Sequence, residues 1–156
     1  MSWPAISAAL VAKVAAVEGT GKVHGYWPLN SDAPTHRRFQ ELFVEDGVFN
    51  VWIVNRTGYL EEVSPEDERV TLVTHEVSIS AFRALVEAPA GKDAEMMFQR
   101  SLDAVTAAFR GVRTLGGLCN TYSIPDFQQI SEVMFGKSMA CYKAESSFLV
   151  EEILTL

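Results

Sequence analysis

Basic residues are scarce in this chain: 13 lysines and arginines stand against 20 aspartates and glutamates, a net charge of −7 over 156 residues. With a pI of about 4.9, the chain lacks the cationic surface that neutralises phosphates, which argues against sequence-specific nucleic-acid binding. The same shortage argues against an anionic membrane surface. Cysteine is nearly missing. Cys119 and Cys141 are the two in the chain, and they form neither a C-x-x-C pair nor a zinc spacing. They read as buried thiols acting as small hydrophobes. A disulfide between them stays open on sequence alone and would matter only in an oxidising compartment. No run approaches the roughly 18 apolar residues of a membrane span. The opening MSWPAISAALVAKVAAVEGTG lacks a basic region ahead of its apolar stretch, because Lys13 falls inside that stretch. The expectation is a soluble chain kept in a reducing cytoplasm, or assembled there. Internal repeats and low-complexity segments are also missing.

What is present is enough apolar material for a core. The chain is 48% hydrophobic and 21% charged, so residues 1–156 read as one packed domain. Ser2 can cap a first helix and Pro4 is tolerated in its first turn. Ile6, Leu10, Val14 and Val17 fall on one side of it, and Gly19 and Gly21 end it. KVHGYW (22–27) reads as a strand, PLNSDAP (28–34) as a loop, and THRRFQELFVE (35–45) as a short helix. VFNVWIVNR (48–56) is the clearest central strand. GYLEEVSPEDE (58–68) reads as an acidic loop or hairpin tip around Pro65. RVTLVTHEVSISAF (69–82) returns as a strand with Val73, His75, Val77 and Ile79 on one face.

A helix is predicted over 93–113, capped by Asp93 and stopped by Gly116 and Gly117. Phe98, Leu102, Val105, Phe109 and Val112 form its apolar stripe. The 86–93 stretch reads as a strand-to-helix connection, 118–124 as a short strand and 125–135 as a connector. From Ala140 to Val150 every second residue is small or apolar, and the residues between are mostly polar: Lys143, Glu145, Ser147 and Glu151. That period of two predicts a long half-buried strand. The fold expected is α+β: a mostly antiparallel β-sheet packed on one face by one long helix and a shorter N-terminal helix.

A search for chemistry is mostly negative. Gly19-Thr-Gly-Lys22 lacks the earlier glycine and the following Ser or Thr of a phosphate loop, having Ala16 and Val23 there. His75-Glu76 begins like a zinc-protease motif, but the second histidine position is Ile79. His24, His36 and His75 lie on three separate elements. No glycine pattern brackets a serine as a nucleophile elbow does. Asn55-Arg-Thr57 matches a glycosylation sequon, without meaning in a chain that is not secreted. The run Glu61, Glu62, Glu66, Asp67 and Glu68 lacks the alternating spacing of a calcium loop. No catalytic residue, metal ligand or cofactor site is expected. A small ligand-binding or enzyme domain, with a pocket near His75 and Glu76, is the alternative to a binding or structural role.

Four stretches carry a resemblance: WPAISAALVAKVAAVEGTGKVHGY; FNVWIVNRTG; RVTLVTHEVSIS leading to EMMFQRSLDAVTAAFRG; and MFGKSMACYKAESSFLVEE. In these phrases and in the order of its elements the chain resembles bacteriophage tail terminator (tail completion) proteins and related minor tail proteins. The resemblance runs over nearly the whole chain. It implies a structural virion protein of a phage or prophage tail, assembled in the bacterial host cytoplasm. Such proteins form a homo-oligomeric ring, typically a hexamer, at the head-proximal end of the tail tube. The ring stops tube polymerisation and docks the head, with the tail tube protein and the head–tail connector protein as partners. A head–tail connector or adaptor of the same particle is the neighbouring alternative. A negative lumen would let DNA pass without sticking. Ring contacts are head-to-tail. The expected opposed faces are the acidic Glu61, Glu62, Glu66, Asp67 and Glu68 and the basic Arg37, Arg38, Arg56 and Arg69, with Trp27 and Tyr59 as aromatic anchors.

Overall fold

The computed structural model describes residues 3–28, 36–85, 91–135 and 139–156. Within them the chain runs as helix α1 (Trp3–Ala15), strand β1 (Lys22–His24), helix α2 (His36–Phe43), and strands β2 (Val44–Glu45), β3 (Val48–Val63) and β4 (Val70–Ala84). Helix α3 (Gly91–Ala108), a 3-10 turn (Leu115–Gly117) and strands β5 (Thr121–Tyr122), β6 (Ile130–Phe135) and β7 (Met139–Thr155) follow. The fold is α+β. Among the described residues, seven strands form a curled, mixed and mostly antiparallel sheet in the order β1-β3-β4-β7-β5, with β2 on β3 and β6 on β7. Its body is β3, β4 and β7, of 16, 15 and 17 residues. β1 alone runs parallel, pairing Lys22↔Val51 to His24↔Ile53.

Alternation gives the sheet two apolar faces. On the major face, Trp52 and Val54 of β3, Val77, Ile79 and Ala81 of β4, and Tyr142, Ala144, Phe148 and Val150 of β7 meet two helices. α1 brings Ile6, Leu10 and Val14, spaced by four so that they share one side. α3 brings Ala94, Phe98, Leu102 and Val105, with Phe109 just beyond it. The link between α1 and β1 is tied down at one atom. The Gly19 carbonyl accepts from Asn50 Nδ2 at 2.9 Å and Ser101 Oγ at 3.2 Å. This joins the first helix to β3 and α3.

The minor face holds a second cluster: Leu42 and Phe43 of α2, Phe49, Val51 and Ile53 of β3, Phe82 of β4, Phe135 of β6 and Cys141 of β7. Phe135 sits 5.0–5.1 Å, ring to ring, from Phe43, Phe49 and Phe82. It reaches residues two and three strands away, so the sheet must curl over this face. Helices thus pack on both faces, not on one as the sequence suggests. α2 covers only the end of the minor face where β3 begins.

Several boundaries differ from the sequence reading. β1 stops at His24, three residues short of Trp27. The stretch 58–63 is strand, not loop: Tyr59 to Val63 pair with His75 to Thr71. α3 ends at Ala108, because Gly111 turns with a φ of 87° before Gly116 and Gly117 are reached. Val112 therefore lies outside the helix and is 82% exposed. Residues 130–135 form β6 instead of a connector, and the predicted strand 118–124 shrinks to Thr121–Tyr122. Ser2, the Asp93 side chain and most of the 28–34 and 86–93 connections lie outside the described residues.

Gly21 crosses β3 so closely that a Cβ there would run into the Asn50 carbonyl oxygen and side chain. Gly21→Ala must push β1 off the sheet edge. The expected loss is about 1–3 kcal/mol, the usual cost of overpacking, read as a lower urea midpoint with unchanged slope.

Candidate functional site

Three polar side chains converge within the major face near its α1 end. His75 (β4) and Glu152 (β7) are buried, and a β-bulge between Arg56 and Gly58 turns Arg56 toward them. Arg56 Nη1 lies 3.3 Å from His75 Nδ1, and His75 Nε2 lies 3.5 Å from Glu152 Oε1. A guanidinium can only donate, so Nδ1 is the acceptor in the first contact, while Nε2 and the facing Glu152 Oε1 are buried side by side without a hydrogen bond between them. Aromatic rings roof the group: the Arg56 guanidinium is 5.0 Å from the Trp3 ring and 4.7 Å from the Tyr59 ring. Trp3 also lies 5.2 Å from the His75 ring. The Arg56 guanidinium thus stands between two rings at cation–π distance.

The thiol near this trio is unsuited to attack. Burial, and then the Glu152 carboxylate, push Cys119 up from its ordinary value, whereas a nucleophilic cysteine needs its pKa lowered. The two cysteines are free and lie in different clusters on opposite faces of the sheet, which keeps them from pairing. His75 and Glu76 do not form a joint site. Neighbours on a strand point to opposite faces; His75 is buried in the major face while Glu76 is exposed on the minor one. Among the described residues, an open cleft of about 260 Å³ on the minor face is lined by Gln129, Ser131, Val133, Lys143 and Glu145. Among the described residues, no group of three or more His, Cys, Asp or Glu stands where it could hold a metal ion.

The residues singled out as interface candidates fall in three places. Arg37 and Arg38 are exposed on α2, and both reach Glu41, at 3.2 and 3.5 Å. Trp27 packs its ring edge-on against Phe82, 6.0 Å between centroids, and stays half exposed. Glu61, Glu62, Glu66, Asp67 and Glu68 line the last residues of β3 and its turn into β4. Arg69 belongs to this acidic tip, not to an opposed basic face: its guanidinium holds Asp67 through two bonds of 3.1 Å. That contact keeps the Asp67 carboxyl below its usual range. Arg56 likewise sits beside Tyr59 inside the sheet, away from α2. Of the proposed basic cluster, Arg37 and Arg38 remain together.

Sequence reasoning missed an apolar stripe. Beyond the reach of α2, the minor face exposes Leu60 (58%), Leu149 (43%) and Ile153 (49%). The signal was present, since Leu149 and Ile153 occupy the "polar" phase of the alternation in β7.

Burial raises the Cys141 thiol from 9.0 to about 11, against smaller lowering effects of the Phe135 backbone bond and Lys143. An acid whose folded pKa is raised favours the folded state while protonated. Its contribution is therefore whole below pH 9 and is lost as pH climbs toward 11. Urea midpoints should fall across that window, and less steeply in Cys141→Ala. Cys119, Tyr122 and Tyr142 are shifted up in the same sense by burial, so some slope persists in the variant. No protein-family model matches this chain, and no curated protein shows significant similarity to it.

Proposed function

We propose that the chain is a structural subunit of a phage or prophage tail, acting by binding and not by catalysis. In this reading, copies form a ring, six by resemblance, at the head-proximal end of the tail tube. The ring ends tube polymerisation and docks the head, with tail tube and connector proteins as partners. It belongs to the virion tail and assembles in the host cytoplasm. The 18-residue α3 is then the long helix backing the sheet, with the shorter α1 beside it.

The observation that supports this reading best is polarity along one strand. β3 starts beside α2, with Arg37 and Arg38, and ends at the acidic tip. Its 16 residues span about 50 Å at the usual strand rise. At the α2 end Lys22, Arg37 and Arg38 balance Glu41, Glu45 and Asp46, while the tip sets Glu61, Glu62, Glu66, Asp67 and Glu68 against Arg69; this charge difference suits a head-to-tail contact that closes after a fixed rotation. The exposed stripe of Leu60, Leu149 and Ile153 offers apolar area for a neighbour or the tube. A connector of the same particle would use the same surfaces and differ only in its partner.

Native mass spectrometry over a wide concentration range tests this directly. The wild type should give a discrete ring, or else bind purified tail tubes. Arg37→Glu with Arg38→Glu should weaken that assembly at least tenfold while leaving the melting curve within a few degrees. Unchanged assembly would remove both arginines from the interface. A chain that neither assembles nor binds tubes would end the tail reading.

A further inference from the structure

The two long edges of the sheet are treated differently. The outer edge of β7 is closed along most of its length by β6 and β5 and by the segment between them. Asn120 N donates to Glu151 O at 2.8 Å, Ser123 N to Leu149 O at 2.9 Å, and Asp126 N to Ser146 Oγ at 2.7 Å. In return, Leu149 N reaches Ser123 Oγ at 2.8 Å and Ile153 N reaches Asn120 Oδ1 at 2.7 Å. On the other side, β1 pairs with β3 only as far as Ile53. From Asn55 to Val63, no backbone partner lies on the outer edge of β3 among the described residues. This bare edge also carries large exposed side chains, Tyr59 and Leu60 at 58% and Val63 at 59%. An open apolar edge is a template for another strand.

We infer that this edge of β3 pairs with the same edge of a second copy, antiparallel about a two-fold axis through Tyr59. The charges favour a self-contact: among the described residues the outer edge of β6 is also without a strand partner, but its one charged residue is Glu132, which offers no cation to Glu61 and Glu62, whereas β3 itself carries Arg56. The side chains dictate the register. The bulge leaves Arg56 and Tyr59 on the same face, since they pair with Val77 and His75. With Tyr59 opposite the second copy's Tyr59, Gly58 faces Leu60, and the bulge faces Glu61. Arg56 then meets Glu61 on the major face and Asn55 meets Glu62 on the minor face, each contact occurring twice by symmetry. Both acidic residues of the strand gain a complementary partner. A slip of one residue would set Tyr59 against Leu60, which point to opposite faces, and would lose both polar pairs. The trio beneath, with Trp3 and His75 against Arg56, holds the arginine in place before the copies meet.

This pairing goes beyond the ring reading, because it closes at two copies. Tyr59→Cys tests it on the full chain. Directly opposed residues of an antiparallel pair have Cα atoms about 4.5–5.5 Å apart, within disulfide reach, and Cys119 and Cys141 are buried. Mild oxidation should convert most of the variant to a covalent dimer, while Leu60→Cys, facing Gly58, should link poorly. Glu61→Lys, an exposed change, should shift the wild-type dimer mass to monomer at equal concentration with an unchanged circular dichroism spectrum. A folded Tyr59→Cys chain that does not cross-link, stronger linking at Leu60→Cys, or a dimer indifferent to Glu61→Lys overturns the inference. A ring that survives Glu61→Lys without linking at Tyr59→Cys overturns it too, and leaves the ring reading standing. A cross-linked dimer that never binds tail tubes upholds it while the tail reading fails.

Discussion

The pairing of β4 with β7 is the constraint on which the rest depends. β4 lies in the middle of the sheet, and its contacts with β7 run unbroken from Val70↔Thr155 to Ala84↔Cys141. Every buried position on both faces inherits its orientation from that register. A slip of one residue would carry Phe148 and Val150 out of the major core and drive Leu149 and Glu151 into it. It would also part His75 from Glu152. The two cores, the buried polar trio and the closed outer edge are thus consequences of one alignment.

That alignment also explains why polar and apolar features sit together. His75 and Glu152 belong to strands whose neighbours are apolar, and each is buried. Trp3 from α1 packs against both the His75 ring and the Arg56 guanidinium. Trp3 therefore links the position of the first helix to the polar interior of the sheet. The Gly19 carbonyl does the same at the other end of α1, through Asn50 and Ser101.

Much of this was legible in the sequence. Period-two alternation marked β7 and the buried phase of β4, and the spacing of Ile6, Leu10 and Val14 marked the buried side of α1. The failures have physical causes. Glu61 and Glu62 are poor strand formers, yet they are carried into β3 by pairing with Val73 and Leu72, a tertiary effect that overrides propensity. Val112 continued the helical stripe of α3, but Gly111 broke the backbone first. His75 and Glu76 looked like a pair because they are adjacent, and a strand sends neighbours apart. The true partner, Glu152, lies on another strand far along the chain, and no local pattern could reveal it.

The long separation between β4 and β7 also shapes how the chain reaches this structure. Val70 and Thr155 are paired across more than half of the 156 residues. Closing so large a loop costs entropy before any contact repays it. The helices can form early from local contacts, but the sheet gains its central alignment only when these distant segments meet. Folding should therefore belong to the slow, high-contact-order class, milliseconds to seconds. During that wait β4 exposes an unpaired edge of valines and isoleucine, so crowding during refolding is the condition under which this chain is most vulnerable to aggregation.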